Sequence, residues 1–337
     1  MQNDPPLLKT DLYPDWDILA TWVATVETGS VTTAAKMLGI SQATASQRLK
    51  LLEVKIGTAV LDRSTRPAKP TPIGDCLFQY AVQLLAQAGG MMENLNNQSS
   101  SVRHIVRLGC VASFAATLGS ALVSGLSGTS RQITLWSGLT PSLDEQLENR
   151  LLDAAITTSA VSTRPAIRKT ELFSENYLIV FPAQIDPEDA VSIQELSRQL
   201  PFIRYSTRSV LGRSIDNYLE SAGIMLERNF EFDSSEPLLG LVAAGQGFTI
   251  TTPLCLWQAR HFLPQLRVQL QSEISELKQK DTAASKRTFY LSSRDDEQGS
   301  LPQEAQAIIL KAVSKLYTRE ISPALQLPAQ SLWYKIE

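Results

Sequence analysis

Between residues 42 and 50 the chain carries Gln42, Thr44, Ser46, Gln47, Arg48 and Lys50, spaced around Ala45 and Leu49. Wound as a helix, this stretch buries Ala45, Leu49, Leu52 and Ile56 and turns amides, hydroxyls and cations outward. Side-chain amides and guanidinium groups form bidentate hydrogen bonds to adenine or guanine, and the Ala43 methyl matches a thymine methyl. Hydroxyls and ammonium groups reach base edges or phosphates. No Asp or Glu lies between Glu27 and Glu53, so this stretch carries nothing that repels a polyanion. The bland alternative is a solvated face of an ordinary helical domain. Spacing and charge in the flanking residues decide against it.

The elements that would hold this face are legible on either side. Residues 15–28 repeat Ile18, Leu19, Trp22, Val23 and Val26 at helical spacing and stop at Gly29. A short second helix follows, with Thr32 or Thr33 as its cap, Ala34, Ala35 and Leu38 inward, and Gly39 at its end. Ser41 then caps a third helix that runs to about Ile56 and ends at Gly57. Two helices joined by a short Gly-containing turn, with alanines at the crossing, form a helix-turn-helix. Residues 58–61 read as a strand and 62–70 as a basic hairpin. That hairpin is a wing, whose Arg63, Arg66 and Lys69 reach phosphates or the adjacent minor groove. With Thr33, Ser41, Ala43 and the six polar residues above, they complete the set expected to contact double-stranded DNA. From 31 to 70, seven basic residues face only Glu53 and Asp62, a net +5, whereas residues 1–30 carry a net −4. The positive charge is concentrated where a nucleic acid would lie.

Thr71 and Pro72 start a helix that runs to about Asn96. Ile73, Leu77, Ala81, Leu84, Ala88, Met91 and Leu95 recur at spacings of three and four, a seam that suits pairing with an identical helix. Packing on its own domain is the other reading of that seam. The polar stretch 94–101 reads as a hinge.

The whole chain has 337 residues and a formal charge of −3, a length that argues for two or three domains. Cys76, Cys110 and Cys255 are far apart and there are two histidines, so neither a disulfide framework nor a Cys/His zinc site is expected. No cofactor is expected. The N-terminus lacks the basic and apolar regions of a secretory signal. The uncharged stretch 237–259 holds three glycines, Gln246 and Pro253, and reads as buried helix and strand, not as a membrane span. The chain is therefore expected in the cytoplasm.

Residues 16–98 resemble the DNA-binding domain and linker helix of the LysR-type transcriptional regulators. The likeness is carried by GSVTTAAKMLGISQATASQRLKLLEVKIGTAVLDRS and by KPTPIGD after the wing. Ala34-Ala35, Ser41-Gln42, Ser46, Leu52-Glu53, Gly57, Asp62-Arg63, Thr71 and Gly74 sit at family positions. Leu61 stands where the family usually has Phe, and Ala43 where Pro is common. Pro70 replaces the Leu that usually precedes the threonine, and Gln47-Arg48 reverses the commoner order.

From Val102 onward strands and helices alternate, which implies a mostly parallel sheet flanked by helices. Strands are expected at 105–112, 132–136, 154–157 and 172–181, then at 202–204, 230–232 and 248–251. Strands 266–270 and 288–292 would return to the first half before a helix at 302–317. Ser192 and Glu195 form a capping box. Two such lobes joined by two crossings make a cleft with ligands at the strand ends. The resemblance implies the same architecture, a two-lobed effector domain of periplasmic-binding-protein type, and reaches about residue 318. The chain is thus expected to be α/β and multidomain. An extension covers 1–15, the winged helix-turn-helix 16–71, and the linker helix with hinge 72–101. The effector domain covers 102–319, with lobe I at about 102–182 and 265–319 and lobe II at about 183–264. Residues 273–286 read as a polar insertion, and 320–337 as a C-terminal extension outside the likeness.

Ser113, Ser137, Gly138, Thr140, Thr158, Ser206, Thr207 and Thr249 lie at or beside strand ends and match hydroxyl-rich effector positions of the family. Hydroxyls and free amides at helix N-termini bind small anions, with Arg204 or Arg208 as the charge partner. The same residues also serve as ordinary helix caps. An enzyme is not expected: there is no GxSxG, no GxGxxG after a strand, no HExxH and no nucleophile–base pair. A periplasmic carrier would share the cleft but carry a signal peptide and no helix-turn-helix. The expected function is a sequence-specific DNA-binding regulator that senses a small anionic metabolite. The alternative is a DNA-binding protein whose C-terminal domain serves assembly only. A homodimer, pairing further into a dimer of dimers, would meet a two-fold DNA site, and RNA polymerase is the expected contact in transcription.

Overall fold

The computed structural model describes residues 14–65, 67–97, 103–160, 166–186, 192–274, 285–295 and 299–335. They form two compact units that divide at about residue 99.

The smaller unit opens with α1 (Trp16–Thr28), α2 (Val31–Met37) and α3 (Gln42–Ile56). Left-handed Gly29 (φ 66°) and Gly57 (φ 80°) end α1 and α3, a backbone that costs other residues about 1–2 kcal/mol. Ser30, not Thr32 or Thr33, caps α2, its Oγ accepting the Thr33 amide at 3.3 Å. Both threonines already lie inside the helix, where the backbone geometry of a cap is lost. The wing strands β1 (Leu61–Asp62) and β2 (Lys69–Pro70) pair antiparallel, later than the strand expected at 58–61. The groups just before them are already used. Thr71 donates to the Ala59 and Val60 carbonyls, and Glu53 accepts the Val60 amide. Trp22, Leu49, Leu52, Val60 and Ala81 form the core. A Cβ at Gly74 would lie 2.1 Å from the Val60 carbonyl oxygen, so only glycine lets the next helix approach this closely.

That helix, α4 (Pro72–Asn97), runs into the segment read as a hinge. Its expected seam divides. Ala81 is buried and Leu77 packs with it on the core, whereas Ile73, Leu84 and Met91 stay exposed beside Tyr80. The side chain of Leu95 and residues 98–101 lie outside the described residues.

The larger unit alternates β3 (Arg103–Cys110), α5 (Ala112–Leu126), β4 (Ser130–Ser137), α6 (Thr140–Glu148) and β5 (Ala154–Thr157), followed by β6 (Ile167–Asn176) and β7 (Leu178–Pro182). Next come α7 (Ile193–Gln199), β8 (Ile203–Tyr205), α8 (Val210–Ser221), β9 (Phe230–Phe232), α9 (Ser235–Ala243), β10 (Thr249–Thr251), α10 (Pro253–Gln258) and β11 (Leu266–Leu270). The chain closes with β12 (Lys286–Arg294), α11 (Leu301–Leu316), α12 (Ser322–Leu325), α13 (Ala329–Leu332) and β13 (Trp333–Lys335). One sheet has the order β13-β6-β12-β5-β3-β4, with β3 parallel to β4 and β5. The second lobe holds the sheet β10-β7-β11 and the parallel pair β8-β9. As the sequence suggests, Ser192 caps α7, accepting from the Gln194 and Glu195 amides.

Two strand expectations need correction. The run at 172–181 is not one strand: it breaks at Asn176–Tyr177, and β6 and β7 enter different sheets. Residues 266–270 do not return to the first lobe. They pair antiparallel with β7, from Leu266↔Pro182 to Leu270↔Leu178, and only β12 goes back. The first crossing therefore follows Asn176 and the second follows Leu270. Strands covered on both faces carry no alternation to mark such a break. Residues 1–13, most of the insertion read at 273–286, and the last two residues lie outside the described residues. Among the described residues no helix is long and apolar enough to cross a membrane.

Arg103 holds Glu304 through two hydrogen bonds of 2.8 and 2.9 Å, and with Ser300 keeps that carboxyl down at about 2. A lowered folded-state pKa contributes stability above the ordinary value near 4.5 and loses it as pH falls toward 2. Glu304→Gln is expected to cost about 1 kcal/mol at neutral pH after allowing for solvent screening. The cost should shrink as urea titrations move from neutral toward acid. A cost that does not change with pH would contradict this pairing.

Candidate nucleic-acid interface and effector cleft

Ser41 caps α3, its Oγ accepting the Thr44 amide at 3.0 Å and meeting the Thr44 hydroxyl at 2.8 Å. Capping directs the N-terminal turn outward. Gln42, Ala43, Ser46, Gln47 and Lys50 are all exposed there, Thr44 is half-buried, and Thr33 is exposed on α2. Lys69 is exposed on the wing. Arg66 lies outside the described residues.

Two expected DNA contacts are otherwise engaged. The Arg48 guanidinium turns back onto α1, bonding the Asp17 carboxylate and the Thr21 hydroxyl. It is half-buried, because its position on α3 faces the crossing with α1 and not the open side. Arg63 lies across Glu53 in a two-pronged pair at 3.1 and 3.2 Å. The Ser64 hydroxyl and amide both donate to Asp62, holding its carboxyl below the usual range and fixing the turn of the wing. The open face of α3 is therefore led by two amides, a serine and one ammonium group.

In the larger unit, Ser137 is the last residue of β4, and Ser113, Gly138, Thr140 and Thr158 follow the C-terminal ends of the parallel strands β3, β4 and β5. The Thr140 Oγ1 accepts the Thr158 amide at 3.2 Å and lies 3.3 Å from its hydroxyl. Ser113 is buried at the start of α5. Ser206 is buried and Thr207 exposed after β8.

Two residues assigned to the cleft do structural work inside the second lobe. Arg204 pairs with Asp216, donates to the Leu226 carbonyl at 2.7 Å and stacks on Phe202, so its guanidinium is engaged within its own lobe. Thr249 is fully buried and bonds the Ile203 carbonyl at 2.9 Å, bracing β10 against β8. Arg208 pairs on the surface with Asp233.

The cation that does reach Ser113 is Arg287, on β12. Its guanidinium donates to the Ser113 hydroxyl at 3.0 Å and lies 3.3 Å from the Cys255 sulfur of α10, so it spans both lobes. Arg287 is also 3.9 Å from the Glu175 carboxylate, which is fully buried. The other Glu175 oxygen accepts from the Leu254 amide at 2.6 Å and from the Tyr317 hydroxyl. Burial pushes the Glu175 pKa up, while the Arg287 charge and the Tyr317 and Leu254 hydrogen bonds hold it back. Burial likewise raises Tyr205, whose hydroxyl bonds Thr251 at 2.7 Å nearby. The sequence reading missed Arg287 and Glu175. The signal was slight, because each charge stands among polar neighbours, in ELFSENYLIV and in KRTFYL.

Comparison with known proteins agrees with this geometry. Residues 16–75 match the family model "Bacterial regulatory helix-turn-helix protein, lysR family", and residues 99–301 match "LysR substrate binding domain". The regulator BenM of Acinetobacter baylyi is 28% identical over 68% of this chain and 77% of its own length. CysL of Bacillus subtilis is 26% identical over 70% of this chain and 79% of its own. Among solved structures, CbnR in complex with its target DNA superimposes with a TM-score of 0.66 at 16% identity, covering 88% of this chain and 99% of that one. A full-length OxyR variant from Pseudomonas aeruginosa gives 0.61 at 19% identity, over 89% and 94%. At such identities the superpositions speak for the fold.

Proposed function

The chain belongs to the LysR family of DNA-binding transcriptional regulators with an effector-binding domain, and on that footing we propose which groups read DNA and what the cleft senses. Gln42, Gln47, Ser46 and Ala43 read base edges, and Lys50 and Lys69 hold phosphates. The observation that carries this is the exposed, acid-free N-terminal face of α3 beside a wing. Arg48 and Arg63 act chiefly as positioning residues, since each is fastened to a carboxylate of its own unit. The exposed Ile73, Tyr80, Leu84 and Met91 stripe of α4 supports pairing of two chains, which would present two recognition helices to a two-fold site.

The cleft takes a small carboxylate or similar anion. Arg287, Ser113 and the N-terminus of α5 support that class, with the Arg287 Nε among the buried groups that have no partner. Effector binding alters the lobe arrangement, and that change reaches DNA and RNA polymerase by shifting how paired chains pack. The polymerase contact and the cytoplasmic setting belong to this proposal.

Two experiments test it. With a Lys69→Gln variant, the log–log dependence of DNA affinity on salt should flatten by roughly 0.9; an unchanged slope means that the wing does not touch phosphate. In melting assays against a panel of small mono- and dicarboxylates, at least one should raise the midpoint, and Ser113→Ala should reduce the shift. No shift with any member would favour the assembly-only reading.

A further inference from the structure

Residues 317–335, all but the first two of them beyond the family resemblance, are no part of the DNA-reading face, yet they are fastened to one particular place. Tyr317 is fully buried against the Trp333 ring at 5.4 Å and donates to Glu175. Ile321 and Leu332 are buried as well. β13 adds to the sheet alongside β6, setting Trp333 opposite Glu175 and Lys335 opposite Phe173, close to the end of β6 where the first crossing begins. The Asn176 side chain donates to the Ser331 carbonyl at 2.9 Å. The Lys286 ammonium sits over the Tyr334 ring at 4.9 Å. Asn176 and Lys286 are themselves register partners, the end of β6 and the start of β12. The tail therefore touches both strands at the point where they leave for the second lobe.

These same contacts border a pocket. Ser331 and Tyr334 face Leu270 and Ser272, at the end of β11, across a pocket of about 410 Å³. Asn176 and Lys286 are thus held by the tail, and the end of β11 borders the same pocket. We infer that residues 317–335 form a clamp that fixes the pivot of the two lobes, holding Asn176 and Lys286 while the end of β11 moves across the pocket. The clamp sets how freely the lobes open before any ligand arrives, so it belongs to the response of the domain and not to its recognition.

Deleting 327–337 would also strip Leu332 from the core, so the test uses Asn176→Ala with Tyr334→Ala in the full chain. The Tyr177 amide, bonded to the Ser285 carbonyl at 3.3 Å, reports on the crossings directly. Hydrogen exchange measured by mass spectrometry without ligand should quicken at least tenfold in peptides covering 174–179 and 285–290. Peptides from β3 and β4 should be unchanged. Exchange at the crossings that matches the parent chain would overturn the inference. So would equal acceleration throughout the first lobe, which would make the tail a general stabiliser. Asn176→Ala alone should give a smaller acceleration confined to the same two peptides, and a wider spread would count against the clamp.

Discussion

Replacing Gln42 and Gln47 together by alanine should lower the affinity for a selected DNA site by roughly 30-fold to 10⁴-fold while leaving binding to scrambled duplex unchanged. Each bidentate amide–base pair is worth about 1–3 kcal/mol of discrimination, and the two sites add when they read different bases. The duplex is obtained by selection from random sequence with the parent chain, and affinities are compared at one salt concentration. Both side chains are exposed at the capped start of α3, so neither substitution removes a buried contact. The salt slope should stay as it was, because no phosphate contact is lost. If the variant discriminates as well as the parent, these amides do not read bases. Arg48→Ala gives the contrast. It should loosen the α1–α3 crossing, and whatever affinity it loses should be lost on selected and scrambled DNA alike.

The second large effect is expected at the junction of the lobes. Arg287→Met removes the charge that faces Glu175 and should cost about 3–5 kcal/mol, since a buried carboxylate is left without its counter-charge. Burial already raises the Glu175 pKa, and the nearby Arg287 charge opposes that rise. Without the arginine it climbs further. An acid whose folded pKa is raised holds its proton more tightly in the native state, so stability falls as pH rises above the ordinary value near 4.5. The penalty for Arg287→Met should therefore be smallest near pH 5 and largest near pH 8 in urea titrations. Adding Glu175→Gln to the variant should recover most of the loss. A double variant no more stable than Arg287→Met alone would contradict the pairing.

Which of these features the sequence could announce follows from how local their causes are. The caps of α3 and α7 depend on residues three apart, so Ser41, Gly57 and Ser192 were readable directly. So was the strand–helix alternation of the first lobe, because each helix has its own apolar stripe. The partner of Arg48 was not readable: Asp17 is 31 residues earlier, and only the α1–α3 crossing brings the two together. The seam of α4 was legible as a seam, but Leu77 and Ala81 serve the core while their neighbours face outward, a division set by where α1 lies. The break at Asn176–Tyr177 was hidden by apolar residues on both sides. Arg204 and Thr249 had suitable chemistry at suitable places in the chain. Their bonds to Asp216 and to the Ile203 carbonyl depend on packing within the second lobe, which spacing along the chain does not reveal. The tail had no pattern of its own, and its strand exists because β6 offers an edge to pair with.

Everything proposed for the smaller unit rests on recognition of a particular DNA sequence through α3 and its wing. It is tested most directly by the ratio of affinities of the full chain for its selected duplex and for a scrambled duplex of equal length, measured by fluorescence anisotropy near physiological salt. A ratio of about 10³ or more is expected. A ratio near one, with binding that depends only on salt, would contradict it.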